Sequence, residues 1–135
     1  MSGTFQLDIV SPEHVVFSDM AYMVQVPGAE GDFGVLPGHA PLMSVVRAGV
    51  ITVDLGFGNK KSFYVTFGYA EVTGDSCTIL SEHVQDMSEI SEAEAEEALA
   101  HARRVLEHAS NDAERMKAQA VIDQAEALLL AVRAA

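Results

Sequence analysis

The stretch Val26–Leu42, VPGAEGDFGVLPGHAPL, sets the character of the first half of this chain. It holds four Gly and three Pro in 17 positions, together with Glu30, Asp32 and His39. Pro37 and Pro41 exclude a helix here, because proline lacks the amide donor and its ring clashes with the preceding turn. A Gly-rich loop that cradles phosphate needs such a helix behind it, so a phosphate loop is excluded. The stretch reads as a rigid, exposed loop in which Gly supplies positive φ and Pro a fixed φ.

Strands flank it. Phe5, Leu7 and Ile9 alternate with Gln6 and Asp8, the period of a half-buried strand, which Ser11-Pro12 ends. Val15–Phe17 and Tyr22–Val26 are the next two runs, and Pro27-Gly28 closes the second. Val50–Leu55 and Ser62–Phe67 flank Gly56–Lys60, a hairpin with a Gly-bearing loop. Ala70–Val72 and Cys77–Leu80 flank Thr73–Ser76, a second hairpin. Short strands at about 8–12-residue spacing predict a sandwich or barrel and not βαβ units.

The composition then breaks. All ten Gly lie at or before Gly74, all four Pro at or before Pro41, and all nine aromatics at or before Tyr69. Residues 88–135 hold 14 of the 19 Ala and no helix breaker. Ser91 with Glu94 predicts a capping box, and Ala95, Ala98, Leu99, Ala102, Val105, Leu106 and Ala109 form an apolar stripe. Ser110-Asn111 is the turn, with Asn111 as N-cap and Glu114 three residues on. Ala118, Val121, Ile122, Ala125, Leu128, Leu129 and Val132 continue as a second stripe. The expectation is an α+β chain in two segregated parts: an antiparallel sandwich over 1–87 and an antiparallel helical hairpin over 88–135. No flexible linker separates them, so the halves are expected to dock. A face built of Ala gives little transfer energy per turn, which predicts a detachable arm.

Charge and composition exclude several functions. Eight Lys+Arg against 20 Asp+Glu give a net charge of −12, which argues against a nucleic-acid partner. A single Cys rules out an internal disulfide and fits a reducing compartment. No apolar run reaches the roughly 18 residues needed to span a bilayer, so no direct membrane insertion is expected. The start MSGTFQLDIV shows neither a secretory signal nor a transit peptide, so the protein is expected to work where it is made. Asp32 with His39 could supply acid–base chemistry or half a metal site, but neither a nucleophile nor a third ligand accompanies them. His101 and His108 share a helix face at a spacing unsuited to metal, and Cys77 reads as a small buried hydrophobe. Neither a metal nor a cofactor is expected.

The segment VPGAEGDFGVLPGHAPL, the opening LDIVSP, the run GVITV and the strand-to-helix order together resemble the epsilon subunit of F-type ATP synthases across essentially the whole chain. The resemblance implies a flattened β-sandwich of about ten strands followed by two helices. It implies a non-catalytic subunit at the foot of the rotor stalk, which couples proton-driven c-ring rotation to ATP synthesis and regulates hydrolysis. Its partners would be the gamma subunit, the c-ring and, through the helices, the alpha/beta hexamer. Its place would be the cytoplasmic face of a bacterial plasma membrane, as a peripheral protein. Carried over by position, Glu30, Gly31, Asp32 and His39 become the c-ring and gamma contact candidates.

Some bacterial members bind ATP through an Asp and an Arg at the start of the second helix. Here Glu114 and Lys117 stand in that pattern, and Lys does not replace the Arg fork, so tight ATP binding is not expected. The helices carry five basic and ten acidic groups, a poor complement to an acidic partner segment. The competing readings are a free-standing ligand-binding sandwich with a helical lid, and an enzyme using Asp32 and His39.

Overall fold

A computed structural model describes residues 3–134. The chain divides into two compact units, Met1–Met87 and Ser88–Ala135. The described residues of the first form ten strands: β1 Phe5–Ser11, β2 His14–Ala21, β3 Met23–Val26, β4 Phe33–Val35, β5 Leu42–Val46, β6 Gly49–Gly56, β7 Asn59–Val65, β8 Gly68–Val72, β9 Ser76–Ser81 and β10 Val84–Asp86. They form two five-stranded sheets, ordered β2-β1-β9-β8-β5 and β10-β7-β6-β3-β4. Every pairing is antiparallel except β1 with β9, which is parallel. That one pair departs from the all-antiparallel expectation. The two strands are separated by most of the sandwich, so no tight turn dictates their direction.

Alternation along each strand builds the core. On β1, Phe5, Leu7 and Ile9 point inward and Gln6, Asp8 and Val10 outward. Val24, Ile51, Val53, Phe63 and Val65 answer from the second sheet, and Phe17 meets Phe63 with ring centroids 5.4 Å apart. Buried Cys77 and Ala70 belong to the same core. Gly68 is required by packing: a Cβ there would fall 1.9 Å from the carbonyl oxygen of Leu80. Beside it the buried Ser81 hydroxyl donates to the Thr66 carbonyl at 3.0 Å and accepts from the Thr66 amide at 3.1 Å. This leaves the corner without an orphaned polar group.

The first hairpin is tighter than the sequence suggests. Gly56 pairs with Asn59, so only Phe57 and Gly58 turn, and Gly56, Phe57 and Gly58 all have positive φ (88°, 56° and 80°). For a non-glycine residue that conformation costs about 1–2 kcal/mol.

The second unit contains α1, Glu92–Glu107, and α2, Asp112–Ala134. Ser91 accepts from the Glu94 amide while Glu94 reaches back to the Ser91 amide, closing the capping box. Asn111 accepts from the Glu114 amide at 2.9 Å and caps α2. Arg133 near the end of α2 reaches Glu96 near the start of α1 at 3.3 Å, which makes the pair antiparallel. The buried stripe is narrower than its apolar residues imply. Ala95, Leu99 and Ala102 meet Ile122, Ala125 and Leu129, whereas Val105 and Val121 stay about half exposed. Val105 and Val121 instead line an open groove near the turn between the helices.

Replacing Gly68 by Ala is expected to destabilise the sandwich by about 3 kcal/mol, since backbone and not a flexible side chain must yield. Denaturant unfolding that moves by less than about 0.5 kcal/mol would show that this corner adapts.

Candidate functional site

The loop between β3 and β4 is held in place by backbone bonds to the other sheet. The Arg47 amide donates to the Pro27 carbonyl at 2.9 Å, and the Ala29 amide to the Val45 carbonyl at 2.9 Å. Gly28 bridges Val46, and the Gly31 amide closes onto the Gly28 carbonyl at 3.1 Å. A Cβ on Gly28 would lie 2.4 Å from the Gly31 oxygen and 3.0 Å from the Phe33 ring, so glycine alone fits. Gly31, at φ 135°, makes the exposed bend. The Asp32 carboxylate is paired with the Arg47 guanidinium. Glu30 and Asp32 are both exposed, so the loop presents one carboxylate neutralised by Arg47 and a second, Glu30, on the bend. The stretch read as one long loop is therefore two loops divided by β4. Pairing with β3 over Val24–Val35, Gln25–Gly34 and Val26–Phe33 makes that short strand. Arg47 escapes sequence reasoning because its partner lies 15 residues away across two strands.

His39 is not beside Glu30. β4 carries the chain from Asp32 to the other end of the sandwich, where the Gly38 amide bonds the Gly74 carbonyl in the β8–β9 turn at 3.0 Å. There the His39 ring nitrogen Nδ1 contacts the carbonyl of Ala40 at 2.6 Å. Asp32 and His39 thus face different partners at opposite ends of β4, and the acid–base pairing fails. Among the described residues no three His, Cys, Asp or Glu side chains gather into a metal site. Burial pushes the Cys77 thiol up to about 12, so it supplies no nucleophile.

The outer face of the first sheet carries a feature no motif announces. Cross-strand register aligns Val45 with Tyr69, Tyr69 with Leu80, Leu80 with Val10, and Val10 with Val15. This is one apolar row across all five strands, pointing away from the core. Tyr69 is 49% exposed and Val15 58%, and Phe67 adds its ring edge-on to Tyr69 at 5.6 Å. The next outward row is mostly polar: Met43, Glu71, Thr78, Asp8 and Ser18. An apolar band bounded by polar residues is the pattern of a protein-docking surface.

In the helical unit a groove of about 750 Å³ opens near the α1–α2 turn. Arg104, His101, His108, Glu114 and Lys117 surround an apolar floor of Ala102, Val105, Ala118 and Val121. Glu114 is occupied: it accepts from the Ser110 hydroxyl at 2.8 Å and the Ser110 amide at 3.2 Å. Those bonds hold its carboxyl below the usual range. Arg104 is paired with Glu97 at 3.0 Å.

Residues 4–86 match the family described as ATP synthase, Delta/Epsilon chain, beta-sandwich domain. The chain belongs to that family. The ATP synthase epsilon chain of Rhodospirillum rubrum is 42% identical over 131 residues, covering 97% of this chain and 98% of that relative. The epsilon chain of Brucella canis is 38% identical over 124 residues, 92% of each. The fold also matches a chain in the Euglena gracilis mitochondrial ATP synthase structure, OSCP/F1/c-ring in rotational state 1, with a TM-score of 0.84. That match has 20% identity and covers 98% of this chain and 83% of that one. A second match, to the Tetrahymena thermophila mitochondrial ATP synthase central stalk and c-ring, has a TM-score of 0.65 and 11% identity. It covers 95% of this chain and 96% of that one. Both are likenesses of fold.

Epsilon chains are accessory subunits of ATP synthase and not the catalytic one. No described helix is long and apolar enough to cross a membrane. The family match ends where the helices begin, while the relatives' similarity continues through them.

Because the Glu114 carboxyl is held low in the folded state, its contribution is present above its unfolded range and is lost as pH falls through the folded value. Acidification should fray the first turn of α2 before the sandwich loosens, and Glu114→Gln should fray it at neutral pH. Amide exchange at residues 112–115 reads this out. Protection unchanged down to pH 3 and in the variant would contradict it.

Proposed function

We propose that this non-catalytic rotor-stalk subunit of an ATP synthase turns its Glu30–Asp32 loop toward the c-ring and docks on the gamma subunit through the outside of its first sheet. It would sit peripherally at the cytoplasmic face of a bacterial plasma membrane and transmit rotation driven by proton flow. The observation that carries this reading is the unbroken apolar row from Val45 to Val15, too exposed to serve the subunit's own core. A transmitting subunit needs one firm attachment and one contact that follows the ring. The apolar row supplies the first by burial. The pinned acidic loop supplies the second by polar, salt-screened contact.

Gly31 supports the bend, and Asp32 through Arg47 sets its angle, leaving Glu30 as the charge offered to the ring. His39, at the far end of β4, goes with the gamma side. Glu114 and Lys117 keep the place of a nucleotide motif, but Glu114 is spent on Ser110 and Lys117 offers a point charge where a fork is needed. The helical unit is assigned to regulation through the alpha/beta hexamer, without tight ATP binding. A free-standing ligand-binding sandwich is the weaker reading, because the inner faces of the sheets meet in a filled core of Leu7, Ile9, Val24, Val53 and Phe63.

Two substitutions separate the roles in the assembled complex. Tyr69→Asp should reduce co-purification with gamma about tenfold or more, as loss of a central aromatic anchor does. Glu30→Lys should leave assembly and ATP hydrolysis intact while lowering ATP-driven proton pumping in membrane vesicles. Normal gamma retention in the first variant and normal pumping in the second would overturn the assignment.

A further inference from the structure

The tip of the β6–β7 hairpin holds a residue that its own fold does not want. Phe57 is the one non-glycine residue with positive φ among the described residues, at 56°. It takes the first central position of a two-residue turn in which both residues are left-handed, the place where Asn-Gly is preferred. The chain has an Asn two positions later, at Asn59, and a Phe where Asn would fit. The ring recovers nothing from the sandwich, since Phe57 is 97% exposed. Backbone and solvent both disfavour this side chain, and no contact within the chain compensates. An isolated exposed apolar residue is ordinary. One that also sits at a strained backbone position points to selection for something outside the chain.

The surroundings are prepared for it. Tyr22 lies over Gly56, where a Cβ would fall 2.4 Å from the ring edge, so glycine seats the tyrosine at the base of the tip. The Asp54 carboxylate accepts from the Gly56 amide at 2.8 Å, and the Tyr22 amide donates to the Asp54 carbonyl at 2.9 Å. The turn is therefore stiff, and Tyr22, itself 40% exposed, widens the apolar tip. Register fixes which end this is. Met23 pairs with Asp54 next to the tip, while Gln25 pairs with Thr52 toward the Glu30 end of the same strands.

We propose that Phe57, with Tyr22 beside it, is an anchor that inserts into an apolar pocket of the gamma subunit at the end of the sandwich remote from Glu30. This rests on the reading that Glu30 faces the c-ring. With the acidic loop toward the membrane, the tip faces away from it, and a stalk protein is the occupant rather than a lipid surface. A stiff two-residue turn loses little freedom on binding, and aromatic side chains are enriched at the cores of interfaces.

The test uses the full chain and purified gamma subunit by titration calorimetry, with Phe57→Asn as the variant, because Asn accepts the left-handed turn. F57N should unfold at the same or a higher temperature than the wild type and bind gamma about tenfold or more weakly. Equal gamma affinity of wild type and F57N overturns the anchor and leaves the stalk reading standing. A fall in both unfolding temperature and affinity makes Phe57 structural and also overturns it. Association of wild type with phosphatidylglycerol–phosphatidylethanolamine vesicles that F57N loses, with gamma affinity unchanged, assigns the tip to lipid instead. Failure of the wild type to bind gamma at all removes the stalk reading and this inference together.

Discussion

Three residues, Pro27, Gly28 and Ala29, tie one sheet to the other through the backbone. They leave β3 of the second sheet and are immediately bonded to Val45, Val46 and Arg47 at the end of β5 in the first. A sandwich whose sheets touch only through side chains can slide; one stitched by backbone bonds at an edge cannot do so without losing them. The stitch also consumes edge groups that would otherwise be a template for another strand. Because Gly28 tolerates no side chain, the crossing admits one path, and the bend at Glu30–Asp32 emerges from it at a fixed angle. The acidic loop is thus an outgrowth of the sandwich and not an appendage.

From that fixed crossing follows a division of labour by position. Polar, partly neutralised charge lies at one end of the strands, an apolar row crosses the outside of the first sheet, and the Phe57 tip stands at the other end. The helical unit is built on a different principle. Its seam joins Ala95 and Ala102 to Ala125 around Leu99, Ile122 and Leu129, and exposed ion pairs flank it. Such pairs are each worth about 0–1 kcal/mol and weaken with salt. A part made that way suits regulation, where two states must differ by little.

Much of this was legible in the residues, wherever a local rule decides. The alternation Phe5-Gln6-Leu7-Asp8-Ile9 is a strand by pleat geometry alone, and Ser91 with Glu94 is a helix start because both bonds close within one turn. Asn111 as the second cap has the same basis. What stayed hidden depends on topology. β4 and β10 are three residues each, too short to show a period, and their pairings come from strands far along the chain. The Arg47–Asp32 pair and the row from Val45 to Val15 exist only after register is set. Glu30 and His39 look like neighbours in one loop until β4 is inserted between them. Val105 and Val121 belong to the apolar stripes by spacing, yet they line the open groove near the turn and stay about half exposed. In each case a one-dimensional pattern was overruled by pairing partners that sequence order does not reveal.

The central claim is that the bend at Glu30 is the face this subunit turns to the c-ring. A photoreactive amino acid placed at position 30 of the assembled, membrane-bound complex, followed by mass spectrometry of the cross-linked products, tests it in one step. The account predicts a product joining position 30 to a polar loop of the c subunit. A dominant product with gamma or with the alpha/beta hexamer, and none with c, would contradict it.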